Sequence, residues 1–271
     1  MRINNLAIVV NTHSSMKDLW GMFVGELELY FPNQNVYIFS NLNNKVFSGY
    51  KFIRYNSRDD FTTQYYNCLK RVKEPYLITV NEDYILYNFV KNNIIKKYLN
   101  ILNNNKKISF IRLHKGPNYS NKKLTSHLYF LNSERRHLYS QTATIWRKKK
   151  LLELYKIAPK SYIGKTTEQN HKIFLSTEDE IDKISRIKNI KGLYSFYDEK
   201  KIGYSNYDSF VFPYLQSVII KGKWNFKDYK KQLMLLIEKY KINYKRRKIF
   251  YQNYVDVIVS LLKKIGIKNE Y

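Results

Sequence analysis

Residues 76–83 read YLITVNED. A short, largely apolar run from Tyr76 to Val80 passes straight into Asn81-Glu82-Asp83. Such a run fits a strand buried on both faces, as in a parallel sheet. Pro75 closes the segment before it. In open α/β sheets ligands bind beyond the carboxyl ends of the strands. An acidic step at that position therefore faces a ligand crevice, or else caps the following segment from solvent.

The same alternation extends in both directions. Leu6 to Val10 reads as a first strand, and Met16, Leu19, Trp20, Phe23 and Leu27 recur at helical spacing. Val36 to Phe39 and Lys51 to Tyr55 read as strands. Phe61, Tyr65, Cys68, Leu69 and Val72 form a helical stripe before Pro75. Val90, Ile94, Ile95, Tyr98 and Leu102 mark another helix, and Ile108 to Leu113 a fifth strand. Strands alternating with helices imply right-handed crossovers and an α/β fold, Rossmann-like, with a mostly parallel sheet flanked by helices.

The second half is less regular. His127 to Leu131, Leu193 to Tyr197 and Val218 to Ile220 read as strands, and Ile145 to Tyr155 as a strand end entering a helix. Lys160 to Thr167 reads as loop. Helical patterning returns from Asp228, with one face of Leu233, Leu236, Ile237, Tyr240 and Tyr244. A second face joins Tyr254, Val255, Ile258, Leu261 and Leu262, and Lys245-Arg246-Arg247-Lys248 lies between them. The expected division is a catalytic domain over 1–220, in halves 1–110 and 111–220, and a basic helical C-terminal region over 221–271.

The 271 residues carry 48 Lys+Arg against 22 Asp+Glu, a net charge of +26. Two sources fit this excess. One is attraction to a polyanion, whether nucleic acid, anionic lipid or a phosphate-bearing substrate. The other is codon bias, since Lys, Asn, Ile and Tyr are all overused. One cysteine, Cys68, excludes an internal disulfide and a Cys-rich zinc site. No stretch approaches the ~20 apolar residues that span a bilayer, and the N-terminal apolar run is too short for a secretory leader. The expected location is cytoplasmic, with peripheral contact at the inner face of the membrane. The C-terminal basic-aromatic stretch would either lie on anionic lipid or pack back on the catalytic domain. No Gly-rich phosphate loop, Walker-type lysine or Gly-x-Ser-x-Gly elbow is present, which argues against kinases, nucleoside triphosphatases and ordinary serine hydrolases.

Taken together, Asn11-Thr12-His13-Ser14 after the first strand, Asn67 in a helix, Lys73-Glu74-Pro75-Tyr76, and Asn81-Glu82-Asp83 resemble the GT-A glycosyltransferases, in particular the inverting, family-2-like group. The resemblance covers residues 5–90, loosens towards 175 and then fades. It implies a nucleotide-sugar donor at Asn11, Thr12, His13, Asn67, Glu82 and Asp83, with Mn²⁺ or Mg²⁺ at Asp83. It also implies a role in making cell-surface polysaccharide, on a saccharide or lipid-linked acceptor. Hard cations of this kind take oxygen ligands and draw several from water and phosphate. Asp60 would reach the base or ribose, or cap the helix beginning near Phe61.

The family's catalytic base is the first acid of a later acidic pair, here matched by Glu168-Gln169 after Thr144-Ile145-Trp146-Arg147. Glu168 would deprotonate the acceptor hydroxyl; read locally it is an exposed loop residue. Glu178-Asp179-Glu180 is a rival acidic cluster. The sequence departs from the family at the first position of Asn81-Glu82-Asp83, in the Gln of the later pair, and in lacking Gln-x-x-Arg-Trp. Two other functions stay open: a single-strand nucleic-acid binder using Lys/Arg and aromatic platforms, and a non-catalytic sugar- or nucleotide-binding relative. No motif for specific nucleic-acid reading is present.

Overall fold

The computed structural model describes residues 2–159, 167–197 and 209–250, with backbone alone over 167–174. Nine strands form one sheet. They are β1 (Leu6–Asn11), β2 (Asn35–Ser40), β3 (Lys51–Arg54), β4 (Tyr76–Asn81), β6 (Ile108–Arg112), β7 (Lys123–Thr125), β8 (Leu128–Phe130), β9 (Thr144–Arg147) and β10 (Lys191–Ser195). Their order across the sheet is β3-β2-β1-β4-β9-β6-β10-β8-β7. β1 pairs in parallel with β2 and β4, β2 with β3, and β6 with β10. β9 enters antiparallel between β4 and β6. The fold class is therefore the α/β, mostly parallel sheet expected from the alternation.

Both faces are covered, which is why the strands read as continuous apolar runs. Successive β1 side chains alternate between two cores. Leu6, Ile8 and Val10 pack in one with Trp20, Phe23 and Leu27 of α1 (Trp20–Tyr30). Tyr98, Leu99 and Leu102 of α3 (Asn92–Asn104) join the same core. Ala7 and Val9 pack in the other with Tyr65, Cys68 and Leu69 of α2 (Phe61–Lys70). Leu151 and Leu154 of α4 (Lys148–Ile157) share it, as does Ile181 of α5 (Thr167–Ile187). Each fully buried Val, Leu or Ile side chain contributes about 1.5–3 kcal/mol.

The sheet's second half differs from the sequence expectation in two ways. α5 begins inside the stretch read as loop and places Glu178, Asp179 and Glu180 on a long helix. Val218 to Ile220 does not join the main sheet. Its β12 (Ile219–Ile220) instead pairs with β13 (Lys223–Trp224) as a hairpin, and a further small pair joins β5 (Ile85–Leu86) to β11 (Tyr214–Leu215). Two-residue strands carry too little apolar periodicity to be assigned from sequence.

The last α-helix among the described residues packs back on the domain. α6 (Phe226–Lys239) buries Phe226, Tyr229, Leu233 and Ile237 in the α1 core. The buried Glu26 of α1 accepts from Lys239 Nζ at 2.6 Å and from Tyr240 Oη at 2.8 Å. Beyond α6 the chain returns beside β13. Trp224 N donates to Lys248 O at 2.9 Å and Phe250 N donates to Trp224 O at 2.8 Å. The expected second helical face around Tyr254 to Leu262 lies outside the described residues. Among the described residues no helix is long and apolar enough to cross a membrane.

Gly192 of β10 lies against the Phe110 ring of β6, where a Cβ would overlap it. That ring stacks on Trp146 at 4.3 Å and has little room to yield. Gly192→Ala is expected to destabilise by about 1–3 kcal/mol, as overpacking does. Thermal denaturation measures this, and an unchanged midpoint would mean that β6 and β10 pack more loosely than described.

Candidate functional site

The register of β1 against β4 pairs Asn11 with Asn81, so the two strands end together. Just beyond lies a cleft of about 770 Å³. Its floor is Asn11, Thr12 and His13 after β1 and Glu82, Asp83 and Tyr84 after β4. Tyr55 follows β3 on one side, and Gln141 and Thr142 precede β9 on the other. Glu178 and Asp179 of α5 line the far wall.

Thr12 is buried and anchors the floor. Its hydroxyl accepts from Trp20 Nε1 at 2.8 Å, and its carbonyl accepts from Tyr55 Oη at 2.8 Å. It also hydrogen-bonds the Glu82 carboxylate. His13 caps a short 3₁₀ turn, Ser14–Met16, with its ring accepting from Ser15 N at 3.1 Å. Burial lowers the His13 pKa, so the imidazole is neutral at pH 7.

Two adjacent acids share the floor. Burial raises the Glu82 pKa, the neighbouring Asp83 charge raises it further, and the Thr12 hydrogen bond and the Arg247 charge pull it down. Burial likewise raises Asp83, against a lowering from Arg247. Arg247 itself grips Asp18 with two nitrogens, each at 2.5 Å, and donates to Ser15 O at 2.9 Å. The C-terminal return thus brings a cation to the loop that carries His13.

The far wall is equally fixed. Glu178 is half-buried and accepts from Gln141 N at 3.0 Å. Burial raises its pKa, while the Gln141 N–H, a bond with the Ser140 side chain and the Arg112 charge lower it. His137 holds a left-handed backbone, φ 62. Asp182 pins that conformation, accepting from His137 N at 3.2 Å and Tyr139 N at 2.9 Å. A bulky residue in this region costs about 1–3 kcal/mol, and such strain often sits at functional sites.

Of the residues singled out from sequence, the structure brings Asn11, Thr12, His13, Glu82 and Asp83 to one floor. Asp60 is elsewhere: its carboxylate accepts from Thr63 N at 3.1 Å and from the Thr62 and Thr63 hydroxyls, the helix cap of α2. Asn67 sits exposed on α2, outside the cleft lining. Glu168 falls in the first turn of α5, and its side chain lies outside the described residues. Sequence reasoning did not find Gln141, His137, Asp182 and Arg247 as site residues. They gather from separate elements and share no local spacing.

Asp83 and Glu82 together supply at most two side chains to a cation. Among the described residues no group of three His, Cys, Asp or Glu converges on one point. That donor set fits a hard cation drawing most of its oxygens from water and a diphosphate. It does not fit a self-contained metal cage.

No protein-family model matches the sequence, and no curated protein is significantly similar to it. Solved structures give distant matches. A cytidylyltransferase from Leptospira borgpetersenii aligns at TM-score 0.45 and 14% identity, over 98% of this chain and 99% of that one. S. aureus TarS aligns at TM-score 0.42 and 12% identity, over 71% of this chain and 37% of that one. A 1–349 form of TarS in complex with UDP aligns at TM-score 0.44 and 12% identity, over 88% and 66%. The chain therefore spans about a third of full TarS. At these values the functional reading rests on the site's own geometry.

The raised pKa values carry a sign. A folded state that binds protons more tightly than the unfolded state loses stability as pH rises through the folded pKa. Near pH 4 the cost of the Asp83 charge is absent; above neutral pH it is complete. Asp83→Asn is expected to raise the melting temperature by roughly 2–4 °C near pH 8, with the gain shrinking towards pH 4. Melting curves across that range test it, and a gain of equal size throughout would show that Asp83 carries no charge cost in the fold.

Proposed function

We propose that this chain is a transferase that moves a sugar from a nucleotide-sugar donor to a saccharide or lipid-linked acceptor. The observation that supports this best is the Asn81-Glu82-Asp83 step at the end of β4. It opens into a cleft of about 770 Å³ with a floor at Asn11–His13 and a separate carboxylate wall at Glu178.

In this reading the donor diphosphate lies over Asp83, beside the neutral His13. Asp83, with Glu82 behind it, would hold Mn²⁺ or Mg²⁺, which supplies Lewis-acid neutralisation of the leaving diphosphate. Arg247, paired with Asp18 behind the Ser15 loop, eases the charge on both acids from outside the cleft lining. The acceptor enters against Gln141 and Glu178. Its hydroxyl oxygen attacks the anomeric carbon as the bond from that carbon to the diphosphate oxygen breaks, and its proton passes to a carboxylate. We assign that carboxylate to Glu178 in preference to Glu168. Burial raises the Glu178 pKa towards the working range of a base, and the Gln141 N–H aims one oxygen. A base on the wall facing the diphosphate corresponds to single displacement with inversion.

A thermal-shift panel of UDP-, GDP-, CMP- and TDP-sugars and of the nucleoside triphosphates, with and without Mn²⁺, tests the donor half. A ligand at 100 times its dissociation constant stabilises by about 2.7 kcal/mol. The expected result is a metal-dependent shift with one nucleotide family, lost in Asp83→Ala. A shift with nucleoside triphosphates alone would instead indicate nucleotidyl transfer.

For the second half, Glu178→Gln should keep the donor shift and lose transfer by about 10²–10⁴-fold, with Glu168→Gln near wild type. The reverse pattern would return the base to Glu168.

A further inference from the structure

A second surface adjoins the cleft, outside the residues that line it. It is built where the sheet ends at β10, β8 and β7. Tyr194 of β10 pairs with Tyr129 of β8, and Tyr129 with Lys123 of β7. The Tyr129 and Tyr194 rings stack at 5.1 Å, with Phe196 edge-on to Tyr129 at 6.5 Å. From the loop after β6, Lys115 lies between two rings, 4.3 Å from Tyr119 and 5.0 Å from Phe196. Lys123 stands 5.6 Å over Tyr129.

Three features mark this as more than a solvated edge. Tyr119 is 43% exposed and Tyr129 and Phe196 are half-buried, so ring area stays open to solvent. The segment from Leu113 to Ser133 contains no Asp or Glu, so Lys115, Lys122 and Lys123 have no acid within it to neutralise them. The surface is also tied to the cleft. Buried Asn118 donates to Asn132 O at 2.9 Å and Arg135 O at 3.2 Å, and accepts from Asn132 N at 3.1 Å. The residues that follow, Arg136 and His137, line the cleft. On the other side of the loop, His114 Nε2 lies 2.7 Å from the hydroxyl of Thr142, another lining residue. Gly116 makes the bend at φ 65, with the Arg112 guanidinium so close that a Cβ would meet it at 2.8 Å.

We propose that Lys115, Tyr119, Lys123, Tyr129 and Phe196 form an acceptor platform for an anionic saccharide chain, one that carries phosphate or carboxylate groups. Open aromatic faces suit the C–H-rich faces of sugar rings, and the interleaved lysines suit repeating negative charge. The platform leads along the Asn118-pinned loop to the wall where Glu178 waits. This inference rests on the transfer reading and narrows its acceptor class.

The test is fluorescence anisotropy on the full chain at physiological salt, with labelled dextran sulfate, neutral dextran of equal length, and a single-stranded oligothymidine. The variants are Tyr119→Ala and the pair Lys115→Ala/Lys123→Ala, whose ammonium groups lie over Tyr119, Phe196 and Tyr129. The control is Lys230→Ala/Lys231→Ala on the exposed face of α6, which removes the same charge. Each platform variant is expected to weaken dextran sulfate binding about fivefold, the control less than about twofold, and neutral dextran to bind far more weakly. An equal loss in the control would overturn the platform in favour of diffuse charge. Tighter binding of oligothymidine, lost in the same variants, would overturn it in favour of a nucleic-acid surface. The nucleotide-sugar thermal shift of the platform variants, with whichever nucleotide family shifts the wild-type chain, should match wild type. Its absence in the wild-type chain is the separate failure of the transfer reading.

Discussion

Everything at the site depends on the parallel pairing of β1 with β4. The ladder runs from Leu6 opposite Tyr76 to Asn11 opposite Asn81 without a shift. A slip of one residue would exchange the side chains of the two cores, sending Ile8 and Val10 where Ala7 and Val9 now fit. It would also separate the Thr12 turn from Glu82. The pairing is held by burial on both faces, so the position of the floor is set by the same apolar residues that stabilise the sheet.

That arrangement brings a cost at the carboxyl edge. Glu82 and Asp83 are adjacent acids in a poorly hydrated place, where Thr12 and the more distant charge of Arg247 give partial relief. Sites that keep such unsettled charge are suited to ligands that bring compensating charge with them. The same logic explains the long return of the C-terminal chain. α6 docks on α1 through Glu26, the segment after it pairs with Trp224, and Arg247 then reaches Asp18. A cation from the end of the described chain is thereby held at a loop near its beginning.

How much of this was legible in the sequence varies by element. β1, β2, β3, β4 and α2 follow from apolar periodicity and Pro75, because buried strands and amphipathic helices write their environment into local composition. The floor residues followed from the strand ends. Asp60 had two readings in the sequence, and the cap of α2's first turn is the one the structure shows. α5 was hidden because Glu178, Asp179 and Glu180 look like a solvated charge run, although Glu178 is half-buried against Gln141 N while Asp179, on the same cleft wall, stays exposed. Gln141 and Asp182 act through backbone contacts, and a contact made across 43 residues, as between Asp182 and Tyr139, leaves no local trace.

The antiparallel entry of β9 has a consequence for how the chain is made. β4 and β6 are neighbours in the main sheet's sequence order but not in space, since β9 occupies the gap between them. During synthesis the first four strands and α2 emerge early, yet β4 keeps an open edge until Arg147 has left the ribosome. An open apolar edge invites pairing with other chains. The half that carries β1 to β4 is thus structurally incomplete as a separate piece, and the strand that seals it is the one that leads into α4.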